Sequence, residues 1–325
     1  MNKMRRSIYI DNIDVDKAKE KYYKRLAIKP QWEEIDVLES LNRVSFEAQY
    51  AKISSPNYNA AAMDGILVES MKTIGATTTS PKFLEEGKDF IYVNTGNMVV
   101  EPYDAVIMIE DVIEIEKGKV QILKAAHPWQ HIRPIGEDIV ATEMVVPSRH
   151  KIRPIDLGAL ISGGIQRLKV YRKPKVGILP TGTEIIEKID RLEPGKIIDS
   201  NSRVFEALVQ EDGGIPNRYS PIEDDYGKLK KAILKGVKEN DILIIGAGSS
   251  AGTKDYVVHV IEELGEVVIH GVALKPGKPT ILGIIEDKPV IGIPGYPVSS
   301  YLVFETFVRP LILKYIGLEE EEDLI

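Results

Sequence analysis

Two lysines stand three residues apart in "LKPGKP" (Leu274–Pro279), each followed by a proline, with a glycine between them. Pro-Gly marks a turn, and lysines at turns are ordinarily solvated. The same six residues also describe a stiff backbone holding two ammonium groups ready for an oxyanion. The neighbours have to decide. Three more segments share this texture: "PTGTEI" (180–185), "GAGSSAGTKD" (246–255) and "PGYPVSS" (294–300). Their glycines let a backbone approach a ligand and turn N–H groups toward it. Ser249, Ser250, Thr253, Ser299 and Ser300 supply hydroxyls, and Lys275 and Lys278 supply positive charge. Glu184 and Asp255 are carboxylates of the kind that hold a divalent cation or its waters. No "GK[ST]" follows a glycine loop, and no dinucleotide fingerprint stands in good order. One glycine loop is a weak signal; four together, each offering groups that an anion or a metal would use, are a much stronger one.

Such loops need a frame. From Lys173 onward the chain alternates short apolar runs with amphipathic ones. "KVGILP", "DILIIGA", "EVVIHGVAL", "PTILGII" and "KPVIGIP" read as strands. "NSRVFEALVQEDGG", "DDYGKLKKAILKGVKEN", "TKDYVVHVIEELG" and "PVSSYLVFETFVRPLILKYI" read as helices. Asn201 or Ser202 is placed to cap the first of these helices, and acids open the second, where they suit the helix dipole. This alternation predicts an α/β fold, a doubly wound and mainly parallel sheet over 173–318. Ligands of such sheets sit beyond the carboxyl ends of the strands. Strand order has to bring the lysine loop beside the other three.

The preceding residues divide in two. "DVDKAKEKYYKRLAI" and "EEIDVLESLNRVSFEAQ" carry apolar residues at helical spacing, so 1–54 together with 140–172 is expected to form a helical and extended linker domain. "KDFIYVNTG", "DAVIMIEDVIEIE" and "KVQILKAA" are short, rich in β-branched residues and separated by turn residues; they predict a small β-rich domain over 55–139. The acidic end, 319–325, reads as a solvated charge run. His127 and His131 have the spacing of a helical metal pair, but Pro128 and Pro134 argue against a helix there. His259 and the Tyr22–Tyr23 pair read as packing residues.

The chain's 325 residues are too many for one ordinary core. Its net charge is −7, with no long basic block, which argues against nucleic acid as a partner but not against small anions in a local basic pocket. No cysteine is present, which excludes thiolate metal sites and cysteine nucleophiles. No apolar run approaches the ~20 residues of a membrane helix, and the first residues lack the apolar stretch of a secretory signal. A cytoplasmic protein without a membrane partner is expected.

The ordered motifs are similar to those of the MoeA-type molybdopterin molybdenumtransferases, the family that includes the E domain of gephyrin, along nearly the whole chain. "AAMDG" (61–65) resembles the family's A-M-D-G. "YVNTGNMVVEPYDAVIMIED" resembles its T-G-x-x-x-P-x-x-x-D-A-V-x-x-x-E, with Thr95 on the threonine. "IRPIGED" (132–138) resembles R-x-x-G-E-D, "LPTGTEI" resembles P-T-G-D-E-L, and "GKIIDSNS" resembles G-x-I-x-D-S-N. "LKPGKP" and "IPGYPVSS" resemble K-P-G-K-P and L-P-G-N-P-V-S. The resemblance implies a MogA-like sheet domain and a reaction: molybdate is inserted into adenylylated molybdopterin, AMP is released, and Mg2+ assists. It implies catalytic roles for Asp64, Glu184, Asp224, Asp255, Lys275 and Lys278, with Glu184, Asp224 and Asp255 serving the metal. Thr95, Arg133, Asp138, Thr181, Gly182, Gly248, Ser249, Ser250, Pro279, Pro294, Gly295 and Ser299 would bind the cofactor substrate. A homodimer is implied, with the active site between the sheet domain of one subunit and the smaller domains of the other.

The chain also departs from that pattern. Ala247 stands at a usual glycine, Ser249 at a usual valine, Thr183 at a usual acid, Tyr296 at a usual asparagine and Gly271 at a position often lysine. Family members continue into a small C-terminal β-barrel, which this chain is expected to lack. Tungstate fits the same clamp as molybdate. Two other readings stay open: a non-catalytic molybdopterin- or oxyanion-binding or scaffold relative, and a molybdopterin adenylyltransferase. The segments before residue 173 argue against the adenylyltransferase, because those proteins are essentially the sheet domain alone.

Overall fold

A computed structural model describes residues 12–247 and 256–319. The chain forms two compact units. One comprises 1–33, 42–46 and 169–325; the other comprises 34–41 and 47–168.

The first unit is built on a six-stranded sheet. Its strands are β1 (Lys175–Leu179), β2 (Ile215–Arg218), β3 (Ile242–Ala247), β4 (Glu266–His270), β5 (Ile281–Ile285) and β6 (Lys288–Pro294), and their spatial order is β2-β1-β3-β6-β5-β4. The β2, β1, β3 and β6 strands run parallel, with Gly177 opposite both Asn217 and Leu243, and Ile245 opposite Gly292. The β5 strand runs antiparallel to β6, and β4 antiparallel to β5. Two reversals return β4 to the direction of the parallel strands. The residues after β4, which contain "LKPGKP", therefore leave the sheet at the same rim as those after β1, β3 and β6. The β5–β6 connection is a two-residue turn at the opposite rim. Its Glu286 and Asp287 have φ of 50° and 60°, the left-handed region that L residues visit at a cost.

Helices cover both faces, as apolar strands require. On one face lie α1 (Val15–Tyr23), α2 (Asn201–Glu211), and the last helices α5 (Pro297–Val303) and α6 (Arg309–Tyr315), packed through Tyr22, Phe205, Val303 and Leu311 onto Ile178, Ile244 and Ile293. On the other lie α3 (Tyr226–Glu239) and α4 (Tyr256–Leu264), packed through Ile233, Val237 and Ile261 onto Leu243, Ile245 and Val290. The stripe 229, 233, 236, 237 of α3 is buried and its lysines face out. α1 was expected in the linker; instead, Tyr22 is fully buried on the sheet and its hydroxyl donates to the Gly283 carbonyl at 2.8 Å. The closing run forms two helices joined by a π-helical turn, Phe304–Val308. Pro310, in the first turn of α6, has no N–H to give, and the helix widens just before it.

"EEIDVLES" is not helical, contrary to the sequence expectation. Trp32–Asp36 is a strand followed by a short 3-10 turn, Val37–Glu39. Ile35 and Val37 are buried at a spacing of two, whereas Leu38 and Leu41 are exposed. The Asp36 carboxylate accepts from the Leu38 N–H at 2.9 Å and takes a donor that a helix would have used.

The second unit holds two three-stranded antiparallel sheets. One pairs 65–68 with 90–93 and 105–108; the other pairs 119–122 with 82–85 and 112–116. Ile66, Val68, Leu84, Phe90, Ile107, Val120 and Ile122 share a core. A helix, Pro154–Ser162, opens on a proline, and the Asp156 carboxylate in its first turn accepts from the Arg153 N–H and from the Arg153 guanidinium, each at 2.9 Å.

Candidate functional site

At the carboxyl rim of the large sheet the loops enclose a pocket of about 550 Å³. Its floor is apolar, from Ile178, Ile244, Ile293 and Phe205, and its upper wall carries Thr181, Glu184, Asp199, Asn201, Pro279 and Gly295. The β1 loop is fixed by the Gly182 N–H, which donates to the Ile222 carbonyl at 3.0 Å, and by the Ile222 N–H, which donates to the Pro180 carbonyl at 2.9 Å. The Thr181 hydroxyl donates to the Gly246 carbonyl and couples this loop to the end of β3. Gly182 has φ of 140°, and a Cβ there would meet the Glu184 carboxylate at 2.8 Å. The backbone conformation therefore requires the glycine, and the Glu184 carboxylate folds back over it.

The lysine loop is pinned beneath and open above. The Gly271 N–H donates to the Thr280 carbonyl at 2.8 Å, the Val272 N–H to the Lys278 carbonyl at 3.0 Å, and the Thr280 hydroxyl to the Gly277 carbonyl at 2.7 Å. Gly277 is buried with φ of 130°, and a Cβ there would meet the Leu274 side chain at 2.8 Å. Lys275 and Lys278 are exposed and do not line the pocket, whereas Pro279 does, so the pinned loop that carries the lysines borders the pocket. Ser299 and Ser300 are buried in the first turn of α5, where the Ser300 hydroxyl donates to the Pro297 carbonyl at 2.8 Å. Pro294 and Gly295 also line the pocket.

Of the candidates read from sequence, the pocket gathers Thr181, Glu184, Pro279, Pro294 and Gly295, with Gly182 directly behind Glu184. Asp224 is exposed on the loop that the Gly182–Ile222 and Pro180–Ile222 bonds hold beside Glu184. Gly248, Ser249, Ser250 and Asp255 lie outside the described residues. Glu184 and Asp224 are hard oxygen donors on adjacent loops, a set that suits a divalent cation retaining part of its water shell. Among the described residues no three carboxylates or histidines cluster as a metal site, the His127–His131 pair included.

Sequence reasoning missed Asp199 and Asn201. Asn201 was expected to cap α2, but its side-chain amide donates to the Gly295 carbonyl at 2.7 Å and ties "DSN" to "PGY". Ser202, the alternative cap, is itself a donor: its N–H and hydroxyl reach the Asp199 carboxylate at 3.2 and 2.5 Å. Asp199 therefore does the capping, because a carboxylate is the stronger acceptor at a helix N-terminus. The D-S-N motif carried the signal, read as local structure alone.

A second cluster belongs to the second unit. The Asp64 carboxylate accepts from the Thr95 N–H at 2.6 Å and the Thr95 hydroxyl at 2.9 Å. These two donors hold the Asp64 carboxyl below its ordinary range, so it is an anion under all ordinary conditions. The Ala61 N–H donates to the Asn97 carbonyl, the Gly96 N–H to the Ala61 carbonyl and the Ala62 N–H to the His131 carbonyl, each at 2.8 Å. Arg133 pairs with Ala60 in the same ladder, so "AAMDG", "NTGN" and "HIRPIGED" form one patch. Arg133 donates to both Asp138 oxygens at 2.9 Å and to Glu137, and this keeps its guanidinium firmly protonated. Arg133 is thus already paired and braces the turn that follows it.

Comparison with known proteins also divides the chain in two, but it places α1 with the N-terminal part although that helix packs on the large sheet. Residues 13–164 match the family described as MoeA N-terminal region (domain I and II). Residues 177–314 match a probable molybdopterin binding domain. A molybdopterin biosynthesis protein of Methanocaldococcus jannaschii is 39% identical over 297 residues, covering 86% of this chain and 74% of that protein. The molybdopterin molybdenumtransferase of Haemophilus influenzae is 32% identical over 315 residues, covering 94% and 78%. The crystal structure of a molybdopterin biosynthesis MoeA protein from Pyrococcus horikosii superposes with a TM-score of 0.83 at 35% identity, covering 96% of this chain and 82% of that one. The two family regions follow each other in order and the relatives align across both, so the chain belongs to the MoeA family of molybdopterin biosynthesis proteins.

Proposed function

We infer that this chain is a molybdopterin molybdenumtransferase that inserts molybdenum during molybdenum cofactor biosynthesis. The observation that carries this reading is the rim pocket, where Thr181 and Glu184, Asp199 and Asn201, Pro279, and Gly295 arrive from four separate motifs of one family. The substrate proposed is adenylylated molybdopterin, with molybdate as the metal source and AMP as a product. An apolar floor suits a flat ring system, and a polar wall suits its phosphates. Lys275 and Lys278 on their pinned loop receive the oxyanion, and prior ordering of that loop lowers the cost of binding it. The same charges offset the negative charge that develops as the phosphoanhydride is broken and AMP leaves. Mg2+ held by Glu184 and Asp224, with Asp255, would neutralise the phosphate oxygens. Tungstate has the same shape and charge as molybdate and enters as an alternative substrate. Asp64 and Thr95, with Arg133 and Asp138, are proposed to act on the same substrate, and the working form is proposed to be a cytoplasmic homodimer. No helix among the described residues is long and apolar enough to cross a membrane.

The test is AMP release from adenylylated molybdopterin with magnesium and molybdate. Lys275→Ala and Glu184→Gln run beside the unmodified chain. Molybdate-dependent AMP release that both substitutions reduce at least 100-fold is expected, about 3 kcal/mol of lost transition-state stabilisation. Tight binding of the substrate with no AMP release would identify a non-catalytic relative, and ATP consumption on molybdopterin would identify an adenylyltransferase.

A further inference from the structure

We infer that Arg218 is a positioning residue whose single guanidinium clamps both ends of the 187–199 excursion and so holds one wall of the pocket in place. The inference rests on the pocket being the substrate site, but its core is geometric. The chain leaves the pocket wall after Ile185–Ile186 and returns at Ile197–Ile198, and the two pairs form a short parallel ribbon. The residue immediately beyond each pair is an acid, Glu187 and Asp199. Arg218, the last residue of β2, reaches both. One terminal nitrogen donates to Glu187 at 2.8 Å and the other to Asp199 at 3.3 Å.

Burial gives this fork its weight. The Arg218 side chain is 13% exposed and the Asp199 side chain 4%, whereas residues 187–198 are exposed throughout. The excursion has no core of its own to fix it. Two backbone bonds close the ribbon, Ile197 N–H to the Glu184 carbonyl and Asp199 N–H to the Ile186 carbonyl, both 2.9 Å, and the Lys196 ammonium donates to the Thr183 carbonyl at 2.8 Å. Arg218 adds the charged tether at the sheet side. Its effect passes along a chain of contacts: Arg218 to Asp199, Asp199 to the start of α2 through Ser202, and Asn201 from that start to Gly295. Glu184, Ile185, Ile197, Ile198, Asp199 and Asn201 all line the pocket, so a slack clamp loosens much of its wall. Arg218 does not line the pocket, and its side chain is committed to the two acids. Its contribution is expected in substrate affinity and not in the chemical step. A lysine offers a point charge in place of a planar fork and can hold one acid but not both in this geometry.

The experiment uses Arg218→Met and Arg218→Lys in the full chain, with Glu187→Gln as a milder variant that leaves Asp199 paired. The first readout is limited trypsin digestion. The excursion carries Lys188, Arg191 and Lys196, and Arg218→Met is expected to speed cleavage there at least fivefold while cleavage elsewhere keeps its rate. The second is the steady-state split: KM for adenylylated molybdopterin rises about tenfold in Arg218→Met, Arg218→Lys recovers part of it, and kcat stays within twofold. Unchanged trypsin cleavage in both Arg218→Met and Glu187→Gln overturns the clamp. A fall in kcat at constant KM also overturns it, because that places Arg218 in the chemistry. The digestion needs no turnover, so it tests the clamp even if the proposed reaction proves wrong.

Discussion

Gly65, the glycine of "AAMDG", makes a sharp prediction. Its φ is not in the left-handed region, so backbone conformation does not demand glycine there. Space does. A Cβ on Gly65 would fall inside the carbonyl oxygen of Ile107, 2.9 Å from that carbonyl carbon and 3.1 Å from the Ile109 nitrogen, all short of the 3.4 Å where ordinary contact begins. Every obstructing atom is backbone, so no rotamer change relieves the overlap. In Gly65→Ala the 65–68 and 105–108 strands must part at that end, and the Ile109 N–H to Asp64 carbonyl bond of 2.9 Å is lost. Overpacking of this kind costs about 1–3 kcal/mol and the hydrogen bond about 1 kcal/mol more. The sum, about 2–4 kcal/mol, lowers the thermal midpoint of the second unit by roughly 5–15 °C. Thermal unfolding followed by circular dichroism measures it. Gly158→Ala is the control: its Cβ meets nothing within 4 Å in the helix Pro154–Ser162, so it is expected to stabilise by about 0.5–1 kcal/mol. Adding Ile107→Ala to Gly65→Ala should rescue nothing, because the obstruction is a carbonyl. A Gly65→Ala chain that melts with the unmodified protein would refute the reasoning.

Three further outcomes follow from the contacts described. Thr95→Val removes one of the two donors that depress Asp64, so the Asp64 carboxyl should titrate at higher pH, closer to an ordinary aspartate, as read by carbon-detected NMR of its side chain. Asp156 lies well below the ordinary carboxylate range, chiefly because the Arg153 guanidinium bonds it, and His150 adds a bond at 2.7 Å. Its folded value is depressed, so its stabilisation is present above the ordinary aspartate pKa of ~3.9 and fades as pH falls below it. Asp156→Ala should therefore cost about 1 kcal/mol at neutral pH in urea unfolding, with the difference from the unmodified chain closing in acid. Tyr22→Phe removes the buried bond to the Gly283 carbonyl and should cost about 1 kcal/mol in the same assay without changing AMP release.

The frame of the large sheet was legible because its strands are apolar runs of the right length and its helices carry clean stripes. The loops were legible because glycine, proline and lysine have few other reasons to recur together. What escaped reading depended on partners far along the chain. Nothing local says that the Asn201 amide reaches Gly295, a residue 94 positions away, when asparagine at a helix start is usually a cap. Trp32–Asp36 is a strand because Ile35 and Val37 find a core, while the mixed spacing of its neighbours looked helical. Gly65 looked like part of a chemical motif, and its need for closeness appears only once the 105–108 strand lies beside it. Which rim the lysine loop occupies required knowing that β5 runs backward, and "ED" at 286–287 lacks the Asn-Gly signature of a tight hairpin.

That two-residue turn has a practical side. Glu286 and Asp287 occupy left-handed conformations at the rim away from the pocket, where no residue proposed for the reaction stands. Strain at an active site can be retained for function; strain here has no such role. Asparagine and glycine at these positions suit the turn and would relieve it. The hairpin is thus a place where the protein could be made hardier by a few small steps, leaving its catalytic face as it is.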